Sequence, residues 1–382
     1  MMAGRLQGRR QSKPLLQKLS ELNIFIVVVV IMIAMVGFTL LYSVAGGSLD
    51  PWAKRQIIRF VIGMFGMVVI AVIDIRVWMF LAYPFYFLSL VLLIIVSVMG
   101  QTGMGATRWI NLGFMNLQPS ELMKIALILA LARYYHCMTK EEVGQYRRLI
   151  VPILLIAAPV GLVVMQPDLG TSLLIIAGGV AILFCGGARL WLFIVGLMAI
   201  IPTAIGAWSF MKPYQQDRVL TFLNPERDPL GAGYHSIQAK IAVGSGGVYG
   251  KGFIQGSQSQ LNFLPEKQTD FIFTVLAEEF GLMGGVMLLG LYMILLAYAL
   301  IVCMSVRSQF GRLLSFGMAV TFFLYMFINI AMNLGMVPVV GVPLPLVSYG
   351  GSAMLTLLVG IGFVLCAAIH RDTTISRGGA FA

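Results

Sequence analysis

The sequence predicts an all-α polytopic membrane protein. It has ten transmembrane helices, both termini cytoplasmic, and a large extracytoplasmic loop between spans seven and eight. Three observations carry this reading. Of 382 residues, 59% are apolar and 11% charged; soluble domains carry about 25% charged residues, so ionic side chains are too few to cover a soluble particle of this size. Ten apolar stretches approach the ~20 residues a helix needs to cross roughly 30 Å of hydrocarbon. Lys and Arg are spread unevenly between alternate connections. The composition also excludes disordered, coiled-coil, collagen-like and nucleic-acid-binding readings. The net charge of +11 then reads as basic loops held against acidic lipid.

In chain order the spans fall at 24–44, 57–75, 78–98, 119–136, 150–166, 170–187, 190–210, 271–304, 313–335 and 350–369. They are helices because each unpaired backbone group in lipid costs several kcal/mol. The first follows Arg5, Arg9, Arg10, Lys13 and Lys18. That lead resembles a signal peptide, but the apolar run is too long for one, which predicts an uncleaved helix. Residues 1–23 are then a basic cytoplasmic tail, 24–370 the membrane domain and 371–382 a second cytoplasmic tail. With the N-terminus inside, cytoplasmic segments hold 15 of the 26 Lys and Arg. The short outer loops hold four, Lys54, Arg55, Arg59 and Arg108. Cys137, Cys185, Cys303 and Cys366 all fall near cytoplasmic helix ends, away from an oxidising compartment. Their spacing fits no zinc pattern, so they are expected to be packing residues.

Residues 211–270 form a loop of 60 residues, far beyond the roughly 12–15 that structureless connections reach. Leu220, Phe222, Ile237, Ile241, Phe253 and Phe263 are apolar anchors between its turn clusters, and His235 to Val243 has a weak amphipathic helical pattern. A folded cap with short helices on the outer face is expected. Its stretch from Gly244 to Lys251 departs from a P-loop twice: Ser245 stands where a glycine is needed, and Gly252 where Ser or Thr should follow the lysine. Plain turn material and a backbone nest for pyrophosphate both remain open.

Ionisable groups inside spans are costly and face a cavity or a partner. Glu121 and Lys124 open span four behind Pro119 and Ser120, residues suited to a helix start. Their i,i+3 spacing puts both on one face, either as a self-neutralising structural pair or as a charge pair lining a polar cleft. Arg108 precedes Trp109, and is either an interfacial anchor or a bidentate phosphate ligand. Asp168 after Pro167 fits ordinary turn and cap chemistry. Asp270 opens span eight, with Glu278 and Glu279 two turns on. That span, at 34 residues and about 51 Å, exceeds the bilayer core, so its first turns should reach an outer cavity. There an Asp could serve as a general base. These features suggest a substrate with an apolar tail and an anionic head on the outer face, without separating an enzyme from a transporter.

Motifs occur in order over residues 105–352. They include Thr107-Arg-Trp109, Gln118-Pro-Ser-Glu-Leu-Met-Lys124, Gln166-Pro-Asp-Leu-Gly-Thr-Ser172, Asp228-Pro-Leu-Gly-Ala-Gly-Tyr-His235, Thr269-Asp-Phe-Ile-Phe273, Leu276-Ala-Glu-Glu279 and Val347-Ser-Tyr-Gly-Gly-Ser352. Together they resemble the SEDS family of bacterial cell-wall glycosyltransferases. Gly250-Lys-Gly252 and Gln258-Ser-Gln260 look more like its elongation branch than its division branch.

The resemblance implies that lipid II, an undecaprenyl-pyrophosphate disaccharide-pentapeptide, is polymerised into glycan strands at the periplasmic face of the bacterial inner membrane. Rivals are a lipid II flippase and a noncatalytic scaffold for a transpeptidase. The resemblance implies Asp270 as catalytic base, with Arg108, Glu121 and Lys124 as further functional positions. Lys240 and Glu278 join them here as substrate-binding candidates. Family members often carry His two residues before the aspartate; this chain has Gln268, which leaves Asp270 as the proton acceptor. A class B penicillin-binding protein is the implied partner, with other proteins of the elongation complex. A divalent cation, Mg or Mn, would assist at the pyrophosphate, though no ligand cluster for one is readable.

Overall fold

The computed structural model describes residues 14–103, 106–111, 116–209, 211, 213–224, 232–260 and 266–377. The tail before residue 14 and the end beyond 377 lie outside the described residues. The chain opens with α1 (Leu15–Ser20), α2 (Ile24–Val44), α3 (Ala53–Val72) and α4 (Ile75–Met99). Three short strands follow, β1 (Gln101–Gly103), β2 (Ala106–Asn111) and β3 (Asn116–Leu117). Next come α5 (Pro119–His136), α6 (Lys140–Val143), α7 (Tyr146–Met165), α8 (Leu169–Cys185) and α9 (Leu190–Trp208). Then α10 (Pro213–Leu223), α11 (Ala232–Ser245) and α12 (Ser257–Gln260) make the cap, and α13 (Ile272–Ser305), α14 (Gln309–Asn333) and α15 (Gly351–Ile369) close the bundle.

Each of the ten apolar stretches holds one long helix. Seven of them, α2, α3, α4, α7, α13, α14 and α15, are long and apolar enough to cross a membrane. Of the other three, α5 carries Glu121, Lys124 and Arg133 and α8 has 17 residues, while α9 has 19 residues and is apolar from end to end. α3 starts at Ala53, four residues earlier than expected, so Lys54, Arg55 and Arg59 lie on its first turns instead of in a loop. The sequence reading assigns no strand, but the reversal between α4 and α5 pairs β1, β2 and β3 antiparallel, in that order.

α5 is the centre of the bundle. Apart from Leu122, Arg133 and Tyr134 all its residues are buried, and it packs against α4, α7, α8 and α14. A helix apolar nearly all round belongs in a core. α3 and α15 pack closely through glycines: a Cβ on Gly63 would lie 2.4 Å from Leu358 Cδ1, and one on Gly362 2.9 Å from the Met67 carbonyl oxygen. Small residues do this work where lipid supplies no hydrophobic drive between helices. α9 is exposed along nearly all its length, as a lipid-facing helix would be.

α13 is not the continuous rod its length suggests. Gly281 at φ 63°, ψ −159° breaks it, and Phe271 to Glu279 before the break are buried instead of reaching an open cavity. The glycine-rich stretch fills the break. Lys251 N donates to Glu278 O at 3.0 Å and Gly252 N to Glu279 O at 3.1 Å, while Leu282 N donates to Gly247 O at 3.0 Å and Met283 N to Val248 O at 3.1 Å. The approach demands glycine: a Cβ on Gly246 would lie 1.9 Å from Ala277 O, and one on Gly250 2.1 Å from Glu279 O. The stretch is thus a backbone plug; no nest is needed to account for its glycines.

Candidate functional site

Asp270 ends a turn, Glu266 to Asp270, that the surrounding elements hold by its main chain. Asn333 Nδ2 donates to the Asp270 carbonyl at 2.9 Å and Asn329 Nδ2 at 3.1 Å. Asn333 Nδ2 also reaches Asn329 O at 2.8 Å, and Thr274 Oγ1 donates to Asn333 Oδ1 at 2.6 Å. From the other side Ser348 Oγ donates to Thr269 O at 2.6 Å, and Tyr349 N to Gln268 O at 2.8 Å. Within the turn, Thr269 Oγ1 and Gln268 Nε2 donate to Glu266 Oε2 at 3.0 and 3.3 Å. Asp270 is half-buried, and its Oδ2 lies 3.6 Å from where a Cβ on Gly341 would stand. A Cβ there would meet the carboxylate at ordinary van der Waals distance, and the φ of 71° favours glycine at that position.

Gly341 follows Val337 to Val340, which line a cavity of about 320 Å³ together with Asp168, Gly170, Gln215, Arg218 and Ile328 among others. Asp168 caps α8: its carboxylate accepts from Thr171 N at 3.2 Å and Thr171 Oγ1 at 2.9 Å. This is the cap chemistry its sequence suggested. The cap helix α11 docks beside Asp270 by setting Ala239 and Ala242 on Phe271 and Val339. That places Lys240 over the C-terminal end of α14, its Cε 1.9 Å from where a Cβ on Gly335 would stand. A cation suits a helix C-terminus, and Asn333 is two residues away.

The structure brings Glu121 and Lys124 together as a buried pair, Lys124 Nζ to Glu121 Oε1 at 2.6 Å. A third member is Tyr325 of α14, whose hydroxyl contacts Lys124 Nζ and lies 2.8 and 2.7 Å from the two Glu121 oxygens. Tyr325, Asn329 and Asn333 repeat every four residues, so they form one stripe on α14. The stripe joins the ion pair to the Asp270 main chain. Sequence reasoning missed it, though three polar side chains at i, i+4, i+8 in an apolar helix are a legible signal.

Glu278 does not face this site. It is fully buried and accepts from Lys251 Nζ at 2.8 Å, Gln258 N at 2.9 Å and Ser257 Oγ at 3.2 Å. Glu279 accepts from Ser43 Oγ of α2. Glu278 thus ties the cap to the bundle, and Glu279 ties α13 to α2. Arg108 lies on β2, one strand before α5; its side chain is outside the described residues. Among the described residues, no three His, Cys, Asp or Glu converge as metal ligands.

The fold and site define a polytopic membrane protein with a clamped carboxylate at one end of its bundle and a folded cap beside it. A family model of cell cycle proteins, grouping FtsW, RodA and SpoVE, matches residues 16–373. The chain belongs to this family, the SEDS proteins. It is 44% identical over 328 residues to the peptidoglycan glycosyltransferase MrdB of Escherichia coli K12, covering 86% of this chain and 88% of that one. It is 36% identical to a probable peptidoglycan glycosyltransferase FtsW of Trichlorobacter lovleyi, over 91% of this chain and 93% of that protein. Among solved structures, a chain of a peptidoglycan synthase complex superposes with TM-score 0.79 at 34% identity, over 92% of this chain and 99% of that one. The rod shape determining protein RodA of Thermus thermophilus gives TM-score 0.70 at 30% identity, over 92% of this chain and 98% of its own.

Proposed function

We propose that the protein is a peptidoglycan glycosyltransferase that polymerises lipid II into glycan strands during cell elongation and rod-shape maintenance, with Asp270 as general base. The observation that carries the assignment of the base is the rigid presentation of Asp270: three side chains and a main-chain amide hold its turn, while the carboxylate sits against Gly341 beside a cavity. A base works from a fixed position within hydrogen-bond reach of the proton it takes.

In this inverting transfer Asp270 takes the proton of the acceptor sugar 4-hydroxyl as its oxygen attacks the donor's anomeric carbon. The bond from that carbon to the lipid pyrophosphate breaks, and the electron pair leaves with the pyrophosphate. Preorganised cations stabilise the developing charge. Arg108 is the first of these and Lys240, at the α14 terminus, the second. Lys124 acts at longer range, since Glu121 and Tyr325 already hold its ammonium. Magnesium or manganese has no convergent protein ligand set among the described residues, so no step is routed through a metal.

Ten spans with both termini cytoplasmic put Asp270 on the periplasmic face of the inner membrane. The basic-residue count supports this orientation, as do the four cysteines at helix ends opposite the Asp270 cluster. A class B penicillin-binding protein is the partner, a reading supported by the likeness to a chain of a peptidoglycan synthase complex. The test is Asp270→Asn in liposomes with labelled lipid II. The variant is expected to make no glycan while keeping its fold and partner binding. Polymerisation at near wild-type rate would remove Asp270 as the base. Leaflet exchange without glycan from the wild-type protein would favour a flippase, and neither activity a scaffold.

A further inference from the structure

At the far end of the bundle lies a second cavity, of about 610 Å³, within the ~300–1,000 Å³ range of small-ligand sites. α14 carries the Asp270 clamp at its C-terminal end, and this cavity lies at its N-terminal end. The helix has 25 residues, or about 37 Å, so the two sites lie on opposite faces of the membrane. Arg307, Arg312 and Arg377 line the cavity with Ser308, Thr374 and His136, and no Asp or Glu is among the lining residues. Asp372 pairs with Arg307 and Arg371 at 3.7 Å. Arg312 and Arg377 have no carboxylate partner among the described residues.

His136 is the independent observation. It is 4% exposed and sits at the C-terminus of α5. Its Nδ1 accepts from Phe310 N at 3.2 Å, so in the neutral ring Nε2 carries the proton. The backbone of Ile375 and Ser376 hydrogen-bonds the ring, but at a geometry that leaves Nε2 poorly satisfied. Orienting the chain requires only net positive charge on this face. It does not require three guanidiniums around a concavity whose lining holds no acid and whose wall holds a buried, poorly satisfied donor.

We propose that this cavity binds a phosphate-bearing anion, held by Arg312 and Arg377 with Arg307 at the rim. The orientation proposed above makes it a cytoplasmic-face site, so its ligand is distinct from the substrate at Asp270. Arg is the residue type suited to bidentate phosphate contacts. The phosphate comes either from an acidic lipid headgroup of the inner leaflet or from a soluble phosphate.

The test uses the full chain in nanodiscs, read by thermal unfolding. One arm is phosphatidylcholine alone, a second adds phosphatidylglycerol, and a third adds inorganic pyrophosphate to phosphatidylcholine discs. Arg312→Gln/Arg377→Gln is compared with wild type and with Arg147→Gln/Arg148→Gln, which removes equal charge from the same face elsewhere. A rise in Tm with phosphatidylglycerol, absent in the first variant and retained in the second, supports a lipid headgroup; the same pattern with pyrophosphate supports a soluble source. Loss of both guanidiniums should abolish the ligand-dependent rise in Tm. No rise in either arm, or an equal loss in both variants, overturns the proposal. Equal Tm values in phosphatidylcholine establish that the variants fold.

Discussion

Asn333→Ala tests the idea that Asp270 works because its main chain is clamped. The change removes the 2.9 Å bond to Asp270 O, the 2.8 Å bond to Asn329 O and the 2.6 Å bond from Thr274 Oγ1. At about 1 kcal/mol net each, the loss is about 3 kcal/mol, raised somewhat by the buried Thr274 hydroxyl left without that acceptor. Asn329 still reaches the Asp270 carbonyl at 3.1 Å, so the turn loosens without unfolding. A displacement of ~1 Å at a catalytic group costs on the order of 100-fold in rate. The assay is lipid II polymerisation by purified protein, with kcat and KM separated, beside thermal unfolding. The expected outcome is a kcat lower by about 100-fold with KM little changed. Thr274→Val is the control: it breaks one of the three bonds and leaves both donors to main chain, so stability falls by about 1 kcal/mol and the rate stays within a few-fold. If the two variants lose rate in proportion to stability, or Asn333→Ala keeps its rate, the clamp does not position the base.

Three further outcomes follow from the same geometry. Lys124→Met strands the Glu121 carboxylate in the core and is expected to cost about 3–5 kcal/mol, most of it regained in Lys124→Met/Glu121→Gln; thermal unfolding in detergent measures both. Gly250→Ala forces a Cβ to 2.1 Å from Glu279 O and should unseat the plug, seen as faster hydrogen exchange at Lys251, Gly252, Leu282 and Met283; unchanged protection would show that the loop can yield. Lys240→Ala leaves a solvent-exposed position and should keep Tm, while kcat/KM for lipid II falls about tenfold; an unchanged value would take Lys240 out of the site.

The ten long helices were legible because lipid imposes one strong rule, a run of apolar residues long enough to cross. The Glu121–Lys124 pair was legible because i,i+3 spacing fixes which face both occupy. Asp270 stood out because a carboxylate opens an apolar span. What escaped depends on contacts far apart in sequence. Tyr325 closes on Glu121 across 204 residues, and nothing local to either announces the other. Glu278 and Glu279 share the helix that Asp270 opens, which made them look like parts of one polar cavity. Contacts from distant segments claim them instead, the cap holding Glu278 and Ser43 of α2 holding Glu279. Length alone could not reveal the break at Gly281, since Glu278, Glu279, Leu282 and Met283 around it are good helix formers.

The plug of residues 246–252 also bears on how the chain is built. Unpaired peptide groups at a helix break cannot be left facing hydrocarbon. The groups that pair with them come from the segment made just before α13, already outside the membrane in the proposed orientation. The second half of α13 therefore has its missing partners waiting when it enters the bilayer. A lesion in the plug would then also act during biogenesis, as slower insertion and more proteolysis of the nascent chain, beside the loosening seen in the protein that does mature.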